Sequence, residues 1–343
     1  MGPDTMGAIT GHYSAGLGQV IYVEVNRANS QHIYMGSRSG GLWRTNNGGS
    51  TWSHNTDFLP ASGVNAISAS PSNFDSVLIN IRNASNGTSF GIYRSTNGGT
   101  TFSVTPFNPT NPSLGFGGLG SDFKISVIKY HPRVPNLIFV GTDRGIYRST
   151  DNLQTWVRTN TAWNVKDIEF HPTNNNIIYV YENYYWGTNR NKIFKSTNQG
   201  VSYIGLIDLP GNANASINIV TVPSLPNCIF ASSDNGIWKS FNEGVTFNTT
   251  VSPAPTGVSL FYATPNELDT SKYVSGYVDL FKSNNGGITS NQCSWWSLGS
   301  TINHGGFDNQ SAYNLSNVYV HADCNYLTNV NGAFYACTDG FFM

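Results

Sequence analysis

Three groups of residues in this chain have side chains and spacings capable of chemistry. His321 and Asp323 are one residue apart and Asp339 follows at an Asp-Gly turn. An imidazole and two carboxylates at one place could hold a divalent cation such as calcium. Strict strand alternation would put Asp323 and Asp339 on opposite faces, so that set needs an irregular strand end. Tyr184, Tyr185 and Trp186 are consecutive, and Trp163 precedes them on a neighbouring loop. Such rings stack on sugars or anchor a protein partner. Together with Phe107, Phe116, Phe307 and Tyr313 they could equally cap an apolar core. The third group is the turn Thr142-Asp143-Arg144-Gly145, echoed at Ser233-Asp234-Asn235-Gly236 and at Thr338-Asp339-Gly340. Asp143, Arg144 and Asp234 are candidate ligand contacts there, although carboxylates at a repeated turn also serve to satisfy backbone N–H groups.

The elements that must position these residues follow from a repeat. Thr45-Asn-Asn-Gly-Gly-Ser-Thr-Trp52 recurs as Ser95 to Phe102, Ser149 to Trp156, Ser196 to Tyr203 and Ser240 to Phe247, with a degenerate copy at Ser283 to Gly287. The third positions are Asn47, Asn97, Asp151, Asn198, Asn242 and Asn285, about 43–54 residues apart. That period predicts one small sheet per repeat, stacked into a closed array. Inner strands are expected to begin near Val20, Val64, Ile125, Val165, Ile217, Val258 and Val318. Third strands carry a Gly-apolar-aromatic-basic pattern, as in Gly91-Ile-Tyr-Arg94 and Gly145-Ile-Tyr-Arg148. The expected fold is all-β: a seven-bladed β-propeller of four-stranded antiparallel blades, occupying residues 1–343 as a single domain. Its last blade would be incomplete, as in a piece of a longer chain. In each box, the third side chain should accept backbone N–H bonds and the fifth residue should take a left-handed conformation.

Composition narrows the function. Charged residues make up 11% of the chain, against roughly 25% in ordinary soluble domains, and the net charge is −1. Nothing here favours nucleic acid, and no apolar run is long enough for membrane insertion. Average charge predicts a surface with too few cations to select an acidic ligand. Cys324 and Cys337 flank a predicted turn at 329–332 symmetrically, so they are expected either as a disulfide or as two small buried side chains. His131 and His171 each precede a proline and are expected in turns.

The repeated boxes resemble the Asp-box (BNR) repeat of β-propeller proteins, among them sialidases, sortilin-type receptors and xyloglucanases. The opening Gly2-Pro-Asp-Thr-Met-Gly7, the strand Ser39 to Arg44, and His321, Asp323 and Asp339 are similar to secreted propellers of Bacteroidetes-type bacteria. The resemblance implies a secreted or cell-surface location. It also implies an Arg-Ile-Pro motif and a Tyr–Glu pair if the activity were sialidase-like, and neither is matched. In xyloglucanases of this style a carboxylate precedes a Gly-Gly pair in the first blade; Arg38 stands at that position in Gly36-Ser-Arg-Ser-Gly-Gly41. The expectation is therefore a binding or adhesion module for a neutral glycan or a surface protein, without cofactor and without catalysis. The alternatives are a divergent glycoside hydrolase using carboxylates among Asp122, Asp143, Asp234 and Asp323, and an assembly scaffold. The ligand is expected on the face carrying the strand 2–3 loops, opposite the boxes.

Overall fold

The computed structural model describes residues 19–114, 122–160, 164–183, 191–209, 218–233, 236–250, 262–276, 278–294 and 323–339. These form six four-stranded antiparallel sheets, each with strands in sequence order, and one two-stranded hairpin. The innermost strands are Val20–Val25, Gly63–Ser70, Ile125–Tyr130, Val165–Phe170, Asn218–Val222, Tyr262–Pro265 and Tyr326–Val330. Each packs on the next around a ring, and Tyr326–Val330 packs on both Tyr262–Pro265 and Val20–Val25. The fold is a β-propeller, with six four-stranded blades among the described residues rather than the seven expected.

The remaining place in the ring is filled by the hairpin of Tyr326–Val330 and Ala333–Cys337. Its turn falls at Asn331 and Gly332, both at positive φ, where a two-residue hairpin requires it. The expected inner strand at Val318 and third strand at 340–343 lie outside the described residues, as does the start near Val258. The chain's first and last described segments meet there. The Val20 N–H donates to the Thr338 carbonyl at 3.0 Å, and Gln19 donates to Asp339 at 2.7 Å. Register sets Cys337 opposite Tyr326, not opposite Cys324, and both cysteines are buried free thiols. Burial pushes the Cys324 thiol up to about 12.

Every box forms the turn between the third and fourth strands of its sheet, with one hydrogen-bond plan. In the second, Ser95 Oγ donates to Asn97 Oδ1 at 2.9 Å and accepts the Gly99 N–H at 2.8 Å, while Asn97 Oδ1 accepts the Thr101 N–H at 3.0 Å. Asn and Asp are interchangeable at the third position because the partner hydroxyl can reverse. Thr101 Oγ1 accepts from the Asn97 amide, whereas the Thr155 hydroxyl donates to Asp151. The Thr155 hydroxyl and N–H, with Ser149 and Gln154 adding to them, pull the Asp151 carboxyl down to about 2.

Apolar clusters fill the seams between neighbouring sheets, which is why middle strands such as Ile33–Ser37 and Ile138–Thr142 are buried along their whole length. The closing aromatics of the second to fifth boxes join the seam with the preceding sheet: Phe102, Trp156, Tyr203 and Phe247 do so in turn. Phe107 belongs to this interior too, fully buried against Trp156 at 4.5 Å between ring centroids. It is a core ring and not a ligand-facing one.

The basic residue of the first five third strands has an equally regular job. Arg94 donates to the Asn152 carbonyl at 2.7 Å, Arg148 to Gln199 at 2.7 Å, and Lys195 to Glu243 at 3.4 Å. Arg44 reaches Gly98 and Lys239 reaches Gly286 in the same way. In all five cases the acceptor is the fourth residue of the next sheet's box, so each sheet ties down its neighbour's turn. Charge-assisted bonds to partly buried acceptors contribute about 1.5–3 kcal/mol. Arg94→Met, which keeps the stem and removes the donor, should therefore cost about 2 kcal/mol in urea unfolding. Arg94→Lys should recover part of that loss. No loss in Arg94→Met would show that the stem matters and the bond does not.

Candidate functional site

The inner strands line a central channel, and two parts of it collect polar chemistry. On the strand 2–3 loop face a cavity of about 270 Å³ is bordered by Arg38, Arg82, Lys124 and Lys166, with Asn65, Ser126 and Asn164 between them. A β-bulge explains why these side chains arrive there. Register slips by one residue near the start of four inner strands: between Val20 and Tyr22, Val64 and Ile67, Ile125 and Val127, and Val165 and Asp167. The extra residue turns a side chain out of strict alternation. Ser126 and Lys166 are such extra residues, and Asn65 lies within the slip of its own strand.

The polar network around this mouth is well defined. Arg38 donates to Gln19 at 3.1 Å and to the Ala84 carbonyl at 3.2 Å. Asn65 donates to the Ile125 carbonyl and accepts from Asn80, at 2.8 and 2.6 Å. Asp143 Oδ1 accepts the Lys124 N–H at 3.1 Å, and burial raises the pKa of its carboxyl. Asp143 thus serves turn backbone while lying close to two cations of the mouth. Arg144 is placed beside it, over the Phe123 ring at 5.8 Å.

Further along the same strands, a channel cavity of about 690 Å³ opens toward the strand 1–2 turns. Glu24, Lys129, Asp167 and Glu169 line it with the stacked pair Tyr22 and Tyr326, whose centroids are 4.6 Å apart. Lys129 Nζ lies 3.2 Å from Glu169 Oε1. Asp167 accepts the N–H groups of Ile168 and Ile219 at 2.9 and 3.0 Å, and Glu24 accepts that of Ala69 at 3.3 Å. Burial pushes the Glu24 carboxyl up to about 7, with Lys129 opposing. Burial and the Glu169 charge raise Asp167 as well. Burial opposes the charge on Lys129, but Glu169 together with Tyr22, Tyr326 and Asp167 more than offsets it and holds the ammonium well above its ordinary pKa.

Sequence reasoning missed this cluster. The available signal was that charged residues occupy the innermost strands, at Glu24, Lys129, Asp167 and Glu169, where an alternating strand was read without asking what its polar phase faced. Of the expected ligand contacts, only Asp143 and Arg144 are described; Tyr184, Tyr185, Trp186, Trp163 and Asp234 lie outside the described residues. So does His321 of the expected metal set. Asp323, at a φ of 64°, and Asp339 both connect to Asn325, which donates to the Asp323 carbonyl at 3.1 Å and to Asp339 Oδ1 at 2.9 Å. Among the described residues no three His, Cys, Asp or Glu side chains converge as metal ligands. His131 and His171 are turn residues: each Nδ1 accepts two backbone N–H groups, from Arg133 and Val134 and from Thr173 and Asn174.

No family model matches the sequence. Over 190 residues the chain is 28% identical to a xyloglucanase of Hypocrea jecorina, a match taking in 49% of this chain and 22% of that protein. The GH74 xyloglucanase of Xanthomonas campestris superposes with a TM-score of 0.68 at 14% identity, over 95% of this chain and 52% of that one. YCF48 of Cyanidioschyzon merolae superposes at 0.63 and 12% identity, over 96% of both chains. The chain thus spans about half the length of the xyloglucanase structure it resembles. At these identities the structural likenesses establish the propeller and nothing more. Among the described residues no helix is long and apolar enough to cross a membrane.

Proposed function

We propose that this chain is a glycoside-hydrolase-type propeller, exported from the cell and acting on a polysaccharide of the xyloglucan class, with its repeated turns being Asp-box repeats. The sequence match to a xyloglucanase carries this reading, because it extends over about half the chain. It reverses the order expected from motifs alone, where the binding module came first. The channel supplies suitable groups. Glycoside hydrolysis needs a carboxylic acid that still holds its proton near neutral pH, and a second carboxylate to stabilise or attack the sugar cation. Glu24 meets the first requirement, with a pKa near 7. Glu169, ion-paired to Lys129, is available for the second.

A second reading, glycan binding without turnover, is favoured by one observation. Arg38 stands on the loop face where a xyloglucanase-like chain would place a carboxylate, and its guanidinium is held by Gln19 and Ala84. Release of reducing ends from xyloglucan and from unbranched β-glucan separates the two readings. Turnover is expected, and Glu24→Gln should lower it by about two orders of magnitude or more without lowering the melting temperature. Bound glycan with no released ends would leave binding as the function. Turnover unchanged by the substitution would remove Glu24 from the chemistry.

A further inference from the structure

From the loop-face mouth we infer that Arg38, Arg82, Lys124 and Lys166 bind an oxyanion carried on a glycan, either a uronate carboxylate or a sulfate ester. The inference rests on the reading of the chain as a glycan-acting propeller and replaces its neutral substrate with a glycan that carries an acidic residue. Four cations converge on one cavity of about 270 Å³ in a chain whose net charge is −1. Arg82 and Lys166 lie in strands of the second and fourth sheets, Arg38 just after the second strand of the first and Lys124 just before the inner strand of the third, so only the ring brings them together. Among the described residues none of the four forms an ion pair.

The nearest carboxylate, Asp143, accepts the Lys124 backbone N–H and offsets one of the four charges. Burial and the Arg38 charge disfavour the protonated state of Arg82, and burial and the Lys124 charge do the same at Lys166. An incoming anion would relieve both. Arg82 Nε is buried without a hydrogen-bond partner, which leaves a donor unspent. Gly87 borders the same cavity at a φ of +77°, its backbone facing an Arg82 terminal nitrogen and Lys124 Cδ.

The remaining lining suits a sugar ring. Asn65, Asn86, Asn164, Ser85 and Ser126 offer amides and hydroxyls to ring hydroxyls, and the cavity lies just below the roughly 300–1,000 Å³ of ordinary small-molecule sites. That size takes a single acidic residue of a chain. A long polyanion would find an otherwise neutral to acidic protein around this one mouth.

Titration calorimetry of the full chain with tri-galacturonate, with its methyl ester, and with a sulfated galactan trisaccharide tests the inference. At least one acidic probe should bind, and which one does so distinguishes uronate from sulfate. Methyl esterification should weaken binding of tri-galacturonate by about tenfold or more if uronate is the ligand. Lys166→Gln and Lys124→Gln should each weaken the acidic probe severalfold while leaving the melting temperature unchanged. Undiminished binding by both variants, or no binding of either acidic probe, would overturn the proposal, as would equal binding of acid and ester where the sulfated probe does not bind. Acidic glycan bound with no turnover of any glycan would keep this site and reject the hydrolase reading. Cleavage of neutral xyloglucan with both acidic probes ignored would do the reverse.

Discussion

Lys129→Met should destabilise the protein by about 3 kcal/mol at pH 8 and by little or nothing at pH 4.5. Lys129 is the cation that the channel sets against Glu24, Asp167 and Glu169, and it lies 3.2 Å from Glu169. Removing one partner of a buried pair typically costs about 3–5 kcal/mol, and the lower end applies because both side chains keep some solvent. The sign with pH follows from the carboxylates. Glu24 is raised to about 7 in the folded state, so between its ordinary pKa and 7 the folded protein binds more protons than the unfolded chain. Stability therefore already falls as pH rises through that window in the parent protein. Without Lys129 the ionised carboxylates repel one another unopposed, and the fall steepens. At pH 4.5 Glu24 is protonated, and loss of a buried ammonium relieves a desolvation cost. Urea midpoints of parent and variant at the two pH values check this. An equal loss at both would mean that the lysine stem, not its charge, holds the channel wall.

Gly200→Ala should cost about 3 kcal/mol, and Gly49→Ala, at the same box position, only about 1. Both residues sit at positive φ, 77° and 91°, where a side chain strains the backbone by about 1–2 kcal/mol. The difference is in the neighbours. A Cβ on Gly200 would lie 2.4 Å from Phe139 Cε1 and 2.8 Å from the Tyr203 hydroxyl, in a fully buried seam. A Cβ on Gly49 would meet nothing closer than Trp52, at 3.6 Å. The third box shows that a side chain is acceptable where the seam has been shaped for it. Leu153 occupies the fifth position at a φ of 75° and is itself fully buried. Thermal or urea unfolding of both variants is the check. Equal losses would mean that backbone strain alone governs this position and that the Phe139 ring moves aside at no cost.

Local chemistry was legible in the sequence because each box is self-contained. A hydroxyl at the first position, Asn or Asp at the third and a left-handed fifth residue close a turn through bonds reaching at most four residues. Strand order within each sheet followed from the same period, since neighbours in sequence pair as hairpins. The basic residue of the third strand was visible as a pattern, but its purpose was not: its acceptor belongs to the next sheet, about 50 residues away, as Arg94 and Asn152 show. The full blade count also escaped a reading of periods, which counts boxes and inner strands but cannot say how many strands complete each sheet.

The channel and its mouth were decided by tertiary structure alone. Alternation says that Lys166 and Asp167 point apart, and a one-residue bulge instead lets both border the channel. Arg38, Arg82, Lys124 and Lys166 are far apart in a chain of low mean charge, so no local window announces them. They converge because a closed ring brings the entry to every inner strand to one axis. Composition reports how many charges a chain carries; the ring closure determines which of them share a low-dielectric space, and there a few charges set the chemistry.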